Sequence, residues 1–362
     1  MGMYQLTILR VLLIMYARER RTASTMATDF VSFLDSNYER VNDLIASYYV
    51  GRGSHVDMKR YLYEPLARYS ANGGKRHRPV VCALGCAAVG GDPEAASSAA
   101  AAVEHFHTAA LIHDDIADKG ELRRGEPCLH LTQGIGLAIN DGDLALSQVT
   151  GTVLADPSLD DTTKVRVLSE LVTMTTRTIE GQALDIGWAR DGRWDISVDD
   201  YLEMARHKTA YYSVAVPLVC GALIGGGTTE QIEALRAFGM DTGLAFQLQD
   251  DLLNLVGKKE ATQKDFRSDI TEGKRTMLVV HALGNPAVAP ELRAILDSHT
   301  TDPAQLERAV ELLDQAGSLE FVRTYSLDLV RNAKQRLEPV ELSPEPKELL
   351  FSMADFFVHR LV

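Results

Sequence analysis

Two pairs of adjacent aspartates stand where no structural need explains their charge. In ALIHDDIADKG, residues 110–120, Asp114 and Asp115 are followed by Asp118, four positions after Asp114. They close the helical run EAASSAAAAVEHFHTAALIH, and a helix C-terminus disfavours each carboxylate by a few tenths to about 1 kcal/mol. The four-residue spacing puts Asp114 and Asp118 on one helix face with Asp115 beside them. Asp250 and Asp251 lie inside MDTGLAFQLQDDLLNLVG, an apolar helical pattern without a cap. Gln247 precedes them by one turn, and Asn254 stands where a third aspartate is expected. Two further pairs are explained locally. Asp160–Asp161 open a new helix, where the dipole favours acids, and Asp199–Asp200 follow Ser197 in an S-x-x-D capping pattern. Neither is assigned chemistry.

Carboxylates crowded at two such positions suggest cation sites, and oxygen-only donors point to a hard ion such as Mg²⁺. Two helices facing each other across a bundle cavity are the frame in which such sites are built. Basic residues complement them in four short stretches. GGKRHRP (73–79) offers Lys75, Arg76 and Arg78 on a glycine-rich turn suited to close approach by a phosphate. RRG carries Arg123 and Arg124, HKT carries Lys208 beside the Thr209 hydroxyl, and EGKRT carries Lys274. Exposed lysines and arginines usually do nothing specific. Four such stretches in register with two acidic ones describe a site for an anionic, phosphorylated ligand.

The elements that must position these residues are helices. From Asp29 onward apolar residues recur at three- and four-residue spacing, and segments end at NGG, VGGDPE, GGGTT and LGNPAVAP. No sustained period-two alternation and no hairpin signal are present. The expected fold is all-α: a single large helical bundle with a central cavity over residues 26–362, after an N-terminal extension, residues 1–25. That extension contains YQLTILRVLLIMYARERR, interrupted by Arg10 and shorter than the roughly 20 apolar residues a membrane span takes. It lacks the features of a secretory signal, and a peripheral amphipathic helix is its alternative reading. The 362 residues carry a net charge of −13, which argues against nucleic acid as a partner. Four cysteines form no CxxC pair and no disulfide framework, as expected of a reducing, cytoplasmic setting.

In the order and spacing of GGKRHRP, EHFHTAALIHDDIADKGELRRGEP, AINDGD, EGQALDI, KTAYYS, QLQDDLLN and SDITEGKRT, the chain resembles the trans-polyprenyl (isoprenyl) diphosphate synthases, most of all those making geranylgeranyl diphosphate. The resemblance is strong from about residue 60 to 285 and weaker as far as MADFFVHRL. It implies a helical bundle, usually a homodimer, that condenses isopentenyl diphosphate with an allylic diphosphate (dimethylallyl, geranyl or farnesyl). It further implies that Asp114, Asp115, Asp118, Asp250 and Asp251 hold a cluster of three Mg²⁺ ions. Lys75, Arg78, His107 and Arg124 would bind isopentenyl diphosphate; Arg123, Lys208, Thr209, Gln247, Lys264 and Lys274 would contact the allylic substrate. Asp114, Asp115, Asp118, Arg123, Lys208 and Asp250 carry the catalytic assignment. Three features depart from the family pattern: Asn254, the pair Arg267–Ser268 where small residues are usual, and the N-terminal extension.

Product length is expected to depend on side chains upstream of Asp114 on the same helix. In the family that the chain resembles, bulky aromatics at these positions stop growth at fifteen carbons, so the small Ala110 and Ala109 imply growth beyond that length. Phe106 lies one turn deeper, about 5.4 Å, comparable with one isoprene unit. It is the expected floor, favouring a twenty-carbon product; ordinary core packing is its alternative role. A class I terpene cyclase would not need the pocket implied by GGKRHRP and His107. A non-catalytic partner subunit of a heteromeric synthase would be expected to lose one acidic cluster. Both features are retained.

Overall fold

A computed structural model describes residues 29–50, 55–256 and 267–359. The N-terminal extension and Lys264 lie outside the described residues. Asp29 caps α1 (Phe30–Tyr48), its side chain accepting from the Ser32 N–H. After it come α2 (Glu64–Ala71), α3 (His77–Ala88) and α4 (Ser97–Ala117). Then follow α5 (Leu129–Gln133), α6 (Ile135–Leu154), α7 (Asp161–Arg190), α8 (Val198–Ala205), α9 (Val216–Ile224) and α10 (Thr229–Val256). The last third runs through α11 (Ser268–Thr271), α12 (Met277–Leu283), α13 (Ala289–Asp297), α14 (Pro303–Gln315), α15 (Ser318–Leu337) and α16 (Pro344–His359). This is the expected all-helical bundle.

The two bland aspartate pairs behave as their sequence context predicts. Asp160 caps α7 by accepting from the Thr163 N–H at 2.9 Å. Ser197 and Asp200 form a reciprocal capping box at the start of α8.

One expectation needs correction. Between α4 and α5 a two-stranded antiparallel ribbon forms, β1 (Leu122–Arg123) with β2 (Glu126–Pro127). Arg124 and Gly125, the two turn residues, both have positive φ, 54° and 80°. That is the mirror-image turn whose twist suits a tight hairpin. The strands are too short for alternation to register, and Arg-Gly is not among the usual signals for such a turn.

The apolar core falls into two clusters. One joins α1, α3, α4, α6, α9 and α16; the other joins α8, α12, α13 and α14; α10 and α15 contribute to both. Small residues let backbones approach closely at two places that matter for the site. A Cβ on Gly221 in α9 would strike the Cys82 carbonyl of α3, and one on Gly181 in α7 would strike the Lys208 backbone nitrogen. Lys208 begins neither an ordinary α-helix nor a loop. Residues Arg206–Ala215 form a π-helical stretch between α8 and α9, a geometry frequent at functional sites.

Asp141, on the buried face of α6, is fully buried, and neither carboxylate oxygen meets a hydrogen-bond partner among the described residues. Burial pushes its carboxyl up to about 7. An unfolded chain releases that proton near the ordinary carboxylate value, whereas the folded chain keeps it to higher pH. The folded state therefore binds more protons between those values, and stability falls as pH rises. The melting temperature of the ligand-free protein is accordingly expected to drop from about pH 5 to about pH 8, with a shallower drop in Asp141→Asn. Equal slopes for the two proteins would show that Asp141 is not the titrating group.

Candidate active site

The last turn of α4 presents its three aspartates unequally. Asp115 is buried, and both of its oxygens are engaged. The Arg123 Nε donates to Oδ1 at 2.7 Å with Nη2 on the same atom, and the Tyr69 hydroxyl donates to Oδ2 at 2.8 Å. Burial alone would lower the Arg123 pKa, but the Asp115 carboxylate holds it above the ordinary range. Asp114 accepts from Gln182 Nε2 at 2.7 Å, and its other oxygen lies 4.0 Å from Arg123. Asp118 receives the Lys274 ammonium at 3.3 Å. Burial pushes its carboxyl up to about 6, with Lys274 opposing and Asp114 and Glu272 adding to the rise.

The second pair repeats this division near the end of α10. Asp250 is exposed, whereas Asp251 is buried. Tyr201 donates its hydroxyl to Asp251 Oδ2 at 2.5 Å and Gln247 Nε2 donates to Oδ1 at 2.7 Å. Thr209 in turn donates to Gln247 Oε1 at 2.6 Å. Burial, then the nearby Asp269, pushes the Asp251 carboxyl up to about 8. In both pairs a tyrosine from another helix or turn secures the second aspartate, and the first is the more accessible. Of the five aspartates assigned to metal, Asp115 and Asp251 therefore have both oxygens occupied by protein donors.

Cations lie among these carboxylates. Lys208 is ion-paired to Asp185 of α7, and Lys274 pairs with Glu272 at 2.6 Å as well as with Asp118. Despite burial, Lys208 and then Lys274 hold Asp185 below the usual carboxylate range. Asp114 acts on both Lys208 and Asp185, so α4, α7 and the π-helical stretch share one electrostatic cluster.

A second cationic group gathers around the Gly73–Gly74 turn. Arg124 Nη1 donates to the carbonyls of Asn72 at 3.0 Å and Gly73 at 2.8 Å, and a Cβ on Gly74 would collide with its guanidinium. Arg78 donates to Ser213 Oγ at 3.0 Å and lies 4.5 Å over the Tyr212 ring. His107 stacks on the same ring at 5.9 Å. Burial, then Arg78 and Arg124, hold His107 well below its ordinary pKa, so it is a neutral imidazole among cations. Lys75 is exposed, 5.7 Å from the Phe356 ring. Arg76, considered with these residues in the sequence, is not part of the group. It is buried against Glu104 and the Ser70 carbonyl and donates to Asn42 at 2.7 Å.

Of the chain-length residues, Phe106 and Ala109 are buried, Ala110 is half-buried, and Phe106 meets Tyr212 edge-on at 5.5 Å. Sequence reasoning left Gln182, Asp185, Tyr69, Tyr201 and Tyr212 without roles. The EGQALDI stretch carried a signal for the first two, since Gln182 and Asp185 are three residues apart and share a helix face. Tyr212 lay within the KTAYYS stretch already singled out; Tyr69 and Tyr201 carried no signal, because the aspartates they bind are 46 and 50 residues away.

Among the described residues no three His, Cys, Asp or Glu side chains converge into a ready-made metal cage. The donors nevertheless fit a hard cation. They are oxygen-only, burial and then neighbouring carboxylates raise Asp118 and Asp251, and ammonium groups stand beside them to meet a bridging anion.

A helical bundle that gathers lysines among two aspartate pairs and, separately, arginines around a glycine turn suits a transferase of diphosphate substrates. The chain belongs to the Polyprenyl synthetase family, which it matches over residues 59–313. It is 40% identical over 288 residues to the short chain isoprenyl diphosphate synthase of Methanothermobacter thermautotrophicus, a match covering 80% of this chain and 87% of that one. Geranylgeranyl pyrophosphate synthetase from Pyrococcus horikoshii superposes with a TM-score of 0.82 at 30% identity, covering 91% of this chain and 98% of that one. The geranylgeranyl pyrophosphate synthase of Corynebacterium glutamicum, solved with isoprenyl diphosphate and magnesium, gives 0.80 at 30% identity, covering 92% and 99%.

Removing one partner of a buried ion pair costs about 3–5 kcal/mol. Lys208→Ala is expected to lower unfolding free energy by about 3 kcal/mol, Lys274 retaining part of the compensation for Asp185. Denaturant unfolding at neutral pH measures this, and a midpoint unchanged from wild type would contradict the pairing.

Proposed function

We propose that the protein is a Mg²⁺-dependent prenyltransferase that joins isopentenyl diphosphate head-to-tail to an allylic diphosphate and releases geranylgeranyl diphosphate. The observation that carries this reading is that two separate groups of cationic side chains are held on the bundle, one among carboxylates and one without them. The site between α4 and α10 has carboxylates with lysines; the one around Gly73–Gly74 has arginines and a neutral histidine without an acidic cluster. A cyclase of a single diphosphate has no use for the second. Family membership and the product of the Pyrococcus horikoshii relative support the same assignment.

Each group has a chemical task in this reaction. Asp114, Asp118 and Asp250, the more accessible carboxylates, would hold the cations, three by our reading, while Asp115 and Asp251 keep Arg123 and Gln247 in place. Mg²⁺, when bound, neutralises the diphosphate that leaves as the allylic carbocation forms. Lys208, Lys274 and Arg123 add fixed positive charge at that leaving group. Thr209 orients Gln247 toward the same side. Lys75, Arg78 and Arg124 receive the diphosphate of isopentenyl diphosphate, so its double bond faces the allylic carbon. Neutral His107 can donate a hydrogen bond without adding charge. After carbon–carbon bond formation a proton is lost, and the departed diphosphate is the base available to take it.

In this reading the small Ala109 and Ala110 would leave room for a chain growing along α4, and Phe106, which meets Tyr212 edge-on, would be its floor. This pairing supports a twenty-carbon limit. Val165, Val172, Ile179 and Ile186 form an exposed apolar row at seven-residue spacing along α7, and Ile135 and Ile139 on α6 are exposed as well. Such a row supports a homodimer. The four cysteines are free and buried, as suits a cytoplasmic enzyme. No helix among the described residues is long and apolar enough to cross a membrane.

The test is product analysis with purified protein, Mg²⁺, labelled isopentenyl diphosphate and each allylic primer. A twenty-carbon diphosphate is the expected product; longer chains would keep the activity and refute the Phe106 floor, and a cyclic hydrocarbon would refute the transferase. Asp114→Ala is expected to lower turnover at least about a thousandfold, in the range seen when key electrostatic groups are removed. Lys75→Ala is expected to raise the KM for isopentenyl diphosphate with little change for the primer. Wild-type kinetics in either variant would overturn that residue's role.

A further inference from the structure

Two departures from the family pattern, Asn254 and the pair Arg267–Ser268, meet in space. Asn254 Nδ2 donates to Ser268 Oγ at 3.2 Å, and Asn254 Oδ1 accepts the backbone N–H of Asp269 at 3.4 Å. Arg267 adds a third tie, its Nε donating to the Leu255 carbonyl at 3.1 Å. Its backbone is left-handed, with φ 57°, and Nη1 is anchored on Glu307 at 2.7 Å. Left-handed geometry at a non-glycine residue persists when its surroundings hold it. Here two guanidinium contacts do so.

These ties dock the N-terminus of α11 onto the end of α10. Asp269, in the first turn of α11, then acts electrostatically on Asp251 and Tyr201 and also on Lys274. Its carbonyl also accepts the Lys274 N–H at 2.9 Å, so the carboxylate and the ammonium come from one closed turn. An aspartate at position 254 would present its own charge directly. Asparagine there presents none, but its amide grips the backbone that carries a different carboxylate to the same end of the helix.

We infer that Asn254 is a positioning residue that fixes Asp269 at the cation–diphosphate site, where Asp269 supplies the carboxylate that α10 lacks at position 254. The inference rests on the prenyltransferase reading above. Asn254 is polar without being a ligand, and Ser268 supplies the hydroxyl that the amide needs.

The experiment is a thermal-shift titration of the full chain with Mg²⁺ at saturating inorganic diphosphate, which reads cation binding without turnover. Asn254→Ala and Asp269→Asn are each expected to raise the Mg²⁺ midpoint about tenfold, and the double variant to be no worse than Asp269→Asn alone, because the first acts through the second. Asn254→Asp keeps an acceptor for the Asp269 N–H and is expected to need no more Mg²⁺ than wild type. An unchanged midpoint in Asn254→Ala, or a double variant whose effects multiply, would overturn the inference. If Asn254→Ala does not fold, Asn254→Asp and Asp269→Asn decide it, since a wild-type midpoint in Asp269→Asn is equally fatal. Asp114→Asn, run alongside, is expected to abolish the Mg²⁺-dependent rise. A rise retained there would indict the functional reading itself rather than the role of Asn254.

Discussion

The constraint on which the rest of the structure depends is the repulsion among carboxylates gathered at one end of a helical bundle. Asp114, Asp115 and Asp118 occupy the C-terminal turn of α4, where the helix dipole opposes them, and Asp250 and Asp251 lie near the end of α10. Burial would neutralise such groups by protonation unless partners were supplied. The fold resolves the conflict by dividing each pair. One aspartate is buried against a tyrosine hydroxyl and a second donor, and its neighbour keeps access to the site. The more accessible carboxylates, Asp114, Asp118 and Asp250, are the ones proposed to hold a divalent cation.

Close backbone approach supplies the opposing charge. Gly181 lets α7 lie against the π-helical stretch at Lys208, and the same turn of α7 contributes Asp185, the partner of the Lys208 ammonium. A π-helical run widens the backbone and changes which residues share a face. Lys208 and Thr209 thus reach the acidic site, while Tyr212 and Ser213, from the same run, support Arg78 on the other side. One irregular segment serves both anion sites.

Tyr212 joins residues proposed for two different tasks. Its ring carries the Arg78 guanidinium, stacks with His107 and meets Phe106 edge-on. In the proposed reading a change at Phe106 would reach the residues assigned to isopentenyl diphosphate as well as the prenyl chain. Packing at this density transmits displacement rather than absorbing it.

The sequence by itself determined the helical class, because three- and four-residue apolar spacing needs no partner to be read. It also separated the capping aspartates from the chemical ones, because a helix start favours a carboxylate and a helix end opposes it. Four short basic stretches pointed to Lys75, Arg78, Arg123, Arg124, Lys208 and Lys274, and the resemblance divided them between two substrates. Only the tertiary structure decided that Arg76 is a core residue, that Asp115 and Asp251 are held by protein donors, and that Asn254 meets Ser268 and Asp269. The physical reason is the same in each case. Helical periodicity reports which face a residue occupies, but a hydrogen bond to Tyr69, Tyr201 or Glu104 joins elements 28 to 50 residues apart, and no local pattern encodes that distance.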